Sequence, residues 1–103
     1  MRTSQGIAAA LLVALGATSG AALAADPGAG RLLASQCAQC HGTDGRAISG
    51  FPSLAGMSAN TIYKKMMNMR STANPKGIMD YQARIYTDEQ IRLIAEYFAA
   101  QPR

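Results

Sequence analysis

Cys37-Ala38-Gln39-Cys40-His41 places two thiols three positions apart with an imidazole directly after the second. That spacing is the c-type haem attachment pattern. On a helical turn, residues at i and i+3 share a face, so Cys37 and Cys40 can reach one flat macrocycle and form thioethers with its two vinyl groups. His41 then follows at the position from which its ring can turn towards the iron as proximal ligand. Three other chemistries use the same residue types. A thioredoxin-like redox pair would sit in a βαβ pattern, and none surrounds these cysteines. A structural zinc site wants four protein ligands, whereas this chain has two Cys and one His, so a carboxylate or a second chain would have to complete it. A tight disulfide needs only an oxidising compartment. Haem attachment is the preferred reading, with a disulfide and a metal site as the alternatives.

The elements that must position this motif begin after a leader. Arg2 supplies a positive start, Gly6 to Ala17 is rich in Ala, Leu, Val and Ile, and Ala22-Leu23-Ala24 has the small-x-small form of a signal-peptidase site. The apolar run is shorter than the roughly 20 residues of a membrane span, so the expectation is a secretory signal peptide over 1–24, cleaved there or one residue later, and no stable membrane anchor afterwards. Export agrees with the motif, because the thiols must meet haem outside the cytoplasm, and the short leader has a bacterial form; the expected location is the periplasm. The mature domain, 25–103, has about 78 residues, a size at which one apolar core is marginal and a covalent cofactor supplies much of what is missing. Ten Lys and Arg face six Asp and Glu; losing Arg2 leaves a mild positive excess. That balance gives no case for nucleic acid and biases docking towards acidic protein faces.

Along the mature chain, Asp26-Pro27 reads as a helix start, and one helix is expected from Ala29 to Cys40 with Leu32, Leu33 and Ala34 turned to the core. Gly42 to Gly56 has loop composition, with a tight turn at Gly42-Thr43-Asp44-Gly45 and the apolar Phe51-Pro52-Ser53-Leu54 packed towards the haem. A second helix is expected from Ser58 to Arg70. Its stripe Ile62, Met66 and Met69 and its neighbour Tyr63 with Met67 are read as core, since Met fills irregular gaps well. Ser71 to Ile85, containing Asn74-Pro75, Lys76-Gly77 and Met79, reads as loop. A last helix starts at Thr87, where Thr87-Asp88-Glu89-Gln90 has capping-box form; Ile91, Ile94, Ala95 and Phe98 make its apolar face and Pro102 stops it. No strand pattern, repeat or second domain is present. The fold class expected is all-α.

This arrangement resembles the class I cytochromes c: an N-terminal helix into Cys-x-x-Cys-His, a Pro-bearing loop, a Met-bearing loop and a C-terminal helix, over essentially the whole mature chain. Gly30-Arg31-Leu32-Leu33-Ala34 is similar to the family's Gly-x-x-Leu run, and the implied crossing of first and last helices would bring Gly30 close to Tyr97 or Phe98. Phe51-Pro52-Ser53-Leu54-Ala55-Gly56 followed by Tyr63 is similar to the c4-like branch. Gly77-Ile78-Met79, Ile85-Tyr86-Thr87-Asp88-Glu89-Gln90-Ile91 and Ala95-Glu96-Tyr97-Phe98-Ala99 resemble the cytochrome subunit of flavocytochrome c sulfide dehydrogenase. The resemblance implies helices packed around one covalent haem c held by Cys37 and Cys40, with His41 proximal and Met79 distal. Met57, Met66, Met67 and Met69 compete for the distal place. It also implies that Pro52 offers its carbonyl to the other ring nitrogen of His41.

A His/Met six-coordinate iron has no open position, so the implied function is a one-electron carrier rather than an enzyme. Its partners would be redox proteins, among them a flavoprotein that oxidises sulfide, met through a surface drawing on Lys64, Lys65, Arg70, Lys76 and Arg84. Two alternatives come from other classes: a haem sensor or peroxidase-like enzyme whose distal Met is displaced, and a disulfide-stapled binding module without haem.

Overall fold

The first and last helices of this protein cross at a glycine, and that crossing fixes the frame for everything between them. In the computed structural model, which describes residues 28–103, the helices in chain order are α1 (Ala29–Ala34), α2 (Ala38–His41), α3 (Ala59–Ser71), α4 (Ile78–Gln82) and α5 (Asp88–Ala99). Single 3₁₀ turns lie at Ser35–Cys37, Thr43–Gly45 and Ala83–Ile85. Among the described residues there is no strand, and no helix is long and apolar enough to cross a membrane. The expected leader over 1–24 and the Asp26-Pro27 helix start lie outside the described residues.

α5 forms where its sequence says it should. Thr87 caps it by accepting from the Gln90 backbone N–H at 3.1 Å while the Gln90 side chain accepts from the Thr87 N–H at 3.0 Å, a reciprocal cap that satisfies two otherwise orphaned donors. Ile91, Ile94, Ala95 and Phe98 are all buried. α3 is capped by Ser58, whose hydroxyl accepts from the Thr61 N–H, and it buries Ile62 and Met66 against α5. Two polar contacts pin this pair from outside: the Arg70 guanidinium donates to Asp88, and Arg92 lies over the Tyr63 ring, 4.4 Å from its centroid, a cation–π arrangement. Met67 and Met69 are half-buried against the same core.

Gly30 is buried where α1 meets α5. A Cβ there would stand 2.7 Å from the Leu93 carbonyl oxygen and 3.3 Å from the Tyr97 Cβ, so the expected approach to Tyr97 is present and the backbone of Leu93 shares it. Gly30→Ala sets two effects against each other. Alanine gains about 1 kcal/mol of helix propensity, and overpacking against a backbone atom that cannot rotate away costs about 1–3 kcal/mol. The expected result is a net loss of up to about 2 kcal/mol, seen as a lower Tm in thermal denaturation followed by circular dichroism; a raised Tm would show that the helices separate freely.

Three expectations about the elements need correction. The helix expected from Ala29 to Cys40 tightens into a 3₁₀ turn at Ser35–Cys37 before α2 resumes. At that point the Ser35 hydroxyl donates back to the Leu32 carbonyl at 2.6 Å, competing with the regular ladder. Leu32 is 75% exposed rather than in the core, because the α5-facing side of this short helix is already taken by Gly30 and Ala34. The stretch expected as loop from Ser71 to Ile85 contains α4, so Met79 is helical. The Asp80 carboxylate accepts from the backbone N–H groups of Lys76 and Gly77 at 3.0 and 3.3 Å, which stabilises that helix start. Those same two donors hold the Asp80 carboxyl below the usual carboxylate range.

Candidate functional site

His41 closes α2 and is buried, with 8% of the residue exposed. Its Nδ1–H donates to the Pro52 carbonyl oxygen at 2.7 Å. A carbonyl can only accept, so the proton must sit on Nδ1, and the lone pair of the neutral ring is left on Nε2. This is the state in which an imidazole binds a metal, with the other nitrogen's hydrogen bond setting tautomer and ring orientation.

Pro52 reaches that position because the loop before it is folded back onto α5. Gly45, at φ 83°, turns the chain after the ligand helix, and its carbonyl accepts from the Leu54 and Ala55 N–H groups at 2.7 and 3.1 Å. A Cβ on Gly45 would press within 2.8 Å of the Phe98 ring, so this turn can sit on α5 only with glycine. The Ser53 hydroxyl accepts from the Ala47 N–H, and the Gly56 N–H donates to the Phe98 carbonyl at 2.9 Å. Tyr97 donates its phenolic proton to Asp44, and this bond raises the Tyr97 pKa above its ordinary value. The loop is thereby tied to α5 at several points, and Phe51 sets its ring edge-on to His41, 6.4 Å between centroids.

Cys37, Cys40, His41, Pro52 and Met79, all five residues singled out from the sequence, line one cavity of about 470 Å³. That volume lies within the range of about 300–1,000 Å³ typical of cofactor and ligand pockets. Its deep wall is apolar, formed by Ile62, Met66, Ile94 and Phe98. Cys37 is half-buried and Cys40 exposed, with the two sulfurs not joined to each other; burial pushes the Cys37 thiol pKa up. Among the described residues no three His, Cys, Asp or Glu side chains gather around one ion position, so the two thiols and the imidazole are not arranged as a zinc cage. They fit a flat cofactor that each of them meets at a different place. Met57, Met66 and Met69 also line the cavity; Met67 does not.

Sequence reading did not single out Asn68, Gln82 and Tyr86 as cavity residues, and it assigned Lys65 only to a docking surface. For Lys65 and Asn68 a signal existed: they flank the apolar stripe of α3 three positions apart, on the face that adjoins Met66 and Met69. The basic cluster expected as docking surface divides in the structure. Arg70 is paired with Asp88, and Arg84 donates to the carbonyls of Thr72 and Asp80, whereas Lys64, Lys65 and Lys76 are exposed.

A family model described as "Cytochrome C oxidase, cbb3-type, subunit III" matches residues 24–98. The chain is 41% identical over 67% of its length to a "Cytochrome subunit of sulfide dehydrogenase" from Chlorobaculum tepidum, of which it covers 63%. It is 35% identical over 88% of its length to a "Cytochrome c4" from Pseudomonas aeruginosa, covering 46% of that protein. A "Thiosulfate dehydrogenase electron acceptor" from Stutzerimonas stutzeri is 40% identical over 64% of this chain and is covered for 32% of its own length. The chain thus spans between a third and two thirds of these curated relatives. The family match runs from before α1 almost to the end of α5, and it agrees with the all-helical fold around the Cys-x-x-Cys-His cavity: this chain belongs to the class I c-type cytochromes, electron-transfer proteins whose cofactor is a covalently bound haem c.

Proposed function

We propose that the chain is a periplasmic one-electron carrier in which Cys37 and Cys40 bind the haem as thioethers and His41 and Met79 are the iron ligands. Residues 1–24 act as the leader that directs export, leaving 25–103 as the working domain. The observation that carries the reading is the 2.7 Å hydrogen bond from His41 Nδ1–H to the Pro52 carbonyl, which leaves Nε2 as the ring nitrogen that can bind iron. The haem supplies one-electron exchange between ferric and ferrous iron. The protein's own contribution is to hold the imidazole in one tautomer, to surround the macrocycle with the apolar side chains of α3 and α5, and to keep water from the deep wall. A thioether ligand raises the reduction potential relative to a second nitrogen ligand; Met79 is taken as that ligand from the family resemblance, and its half-buried place at the cavity wall, which Met57 and Met69 share, is compatible with the role. The electron donor is a dehydrogenase of reduced sulfur compounds, a flavoprotein in the version that follows the sulfide dehydrogenase relative; the likeness to a cytochrome subunit of sulfide dehydrogenase and to a thiosulfate dehydrogenase electron acceptor supports it.

The test is a visible absorption spectrum, oxidised and reduced, with carbon monoxide added last. The carrier reading expects low-spin bands unchanged by carbon monoxide in the unsubstituted protein, and a high-spin, carbon-monoxide-binding species in Met79→Ala. Carbon monoxide binding by the unsubstituted protein would overturn the carrier in favour of a sensor or peroxidase-like enzyme. A Met79→Ala protein that stays closed would move the ligand to Met57, Met66 or Met69.

A further inference from the structure

Among the described residues the cavity has one charged wall residue besides the titratable Cys37, Cys40, His41 and Tyr86: it is Lys65, and no described Asp, Glu or Arg lines it. Lys65 lies one helical turn before Asn68 on α3, and both are exposed, whereas Ile62 and Met66 on the adjoining side of the same helix are buried. The cavity is therefore amphipathic across the width of α3, apolar in depth and cationic with an amide at the rim.

The cofactor is amphipathic in the same sense. A haem carries two carboxylates on one half of its ring and its two vinyl groups on the other. Burying an unpaired carboxylate costs several kcal/mol, so the carboxylates must meet either solvent or a polar partner. The vinyl half is committed to Cys37 and Cys40, which takes Gln36, next to Cys37 in the chain, away from the carboxylate half. The remaining polar side chains of the wall are Lys65, Asn68, Gln82 and the Tyr86 phenol, and of these Lys65 is the cation. Resting on the proposed haem attachment, we infer that Lys65 is the charge partner of a haem carboxylate, with Asn68 beside it as amide donor, and that this pairing sets part of the reduction potential. The physical reason is direct. An uncompensated carboxylate near the iron favours the more positive ferric state, and a cation within a few ångströms of that carboxylate cancels much of its field. Lys65 thereby favours the ferrous state and raises the midpoint potential.

Lys64 is an internal control, because it has the same charge and exposure but does not line the cavity. Haem content and absorption spectra of the unsubstituted protein and of Lys64→Gln, Lys65→Gln and Lys65→Arg are recorded first, followed by midpoint potentials from spectroelectrochemical titration. Lys65→Gln is expected to lower the midpoint by at least about twice the shift of Lys64→Gln, since the direct pairing is lost rather than a solvent-screened charge. Lys65→Arg is expected to retain the potential, because guanidinium pairs with carboxylate at least as well as ammonium does. Equal shifts for the Lys64 and Lys65 glutamine variants would overturn the assignment, as would a Lys65→Arg potential as low as that of Lys65→Gln. Absence of haem from the unsubstituted protein would instead overturn the proposed function, so the two failures are read separately.

Discussion

With Cys37 and Cys40 both replaced by alanine, haem is expected to disappear from the polypeptide after denaturation in a haem-stained gel, and the domain is expected to lose most of its helical circular dichroism at room temperature. The first expectation follows from the loss of both thioether-forming sulfurs. The second follows from size. Unfilled apolar volume costs about 24 cal/mol per Å³ in well-packed cores, which for a cavity of about 470 Å³ gives on the order of 11 kcal/mol. The opening at the rim lets water in and lowers that cost. Even half of it reaches the stability range of a domain with 76 described residues, about 4–11 kcal/mol at roughly 0.05–0.15 kcal/mol per residue. The described core is correspondingly small, with Phe98, Ile91 and Ile94 as its largest fully buried side chains. Haem that remains bound through denaturation would remove Cys37 and Cys40 from the attachment role. A doubly substituted chain with full helicity and a cooperative thermal transition would show that the helices hold without the cofactor.

The second large effect is expected at Phe98. The residue is 1% exposed; it lines the cavity, its ring packs on the backbone of the Gly45 turn and meets the Tyr97 ring edge-on at 5.4 Å between centroids. It therefore supports α5, the turn after the ligand helix and the deep wall at once. Phe98→Ala removes all three contacts and is expected to cost about 3–5 kcal/mol. In a domain of this size each kcal/mol lowers Tm by about 4–8 °C, so the haem-loaded variant should melt at least about 12 °C lower. Phe98→Leu, which keeps most of the volume, should lose much less. A fall of only a few degrees for Phe98→Ala would mean that the cofactor, rather than this ring, carries the packing between α5 and the loop.

The parts of the molecule that short spacing controls were legible in advance. The caps at Ser58 and Thr87 depend on residues three positions apart. The buried faces of α3 and α5 are read from a 3.6-residue period sustained over 13 and 12 residues. Length is what makes such a pattern decisive: isolated helices under about 12–15 residues are marginal in water, and a longer amphipathic run has only one face to bury. α4 has five residues, too few to show a period, and it starts among Pro75, Lys76 and Gly77, which in isolation signal a turn. Its stabilising carboxylate, Asp80, sits inside the helix and bonds backwards, so no residue at the expected cap position announces it.

The site divides in the same way. By itself the sequence determined which atoms can do chemistry: two sulfurs and an imidazole within five residues, in the order that the proposed attachment and ligation require. The crossing at Gly30 was implied only by the family resemblance, which pointed to Tyr97 or Phe98; that the Leu93 carbonyl stands where a Cβ would go is decided by the tertiary structure. Tertiary structure alone decided what surrounds those atoms. The Pro52 carbonyl meets His41 across 11 residues because Gly45, Ser53 and Gly56 fold the intervening loop onto α5. Lys65 becomes a rim residue rather than one more surface charge because α3 is rotated by the burial of Ile62 and Met66. The spacing on α3 puts Lys65 beside the apolar stripe and the resemblance implied the Pro52 contact, but packing between segments distant in the chain, through side-chain volume and loop closure, decided that both border one cavity.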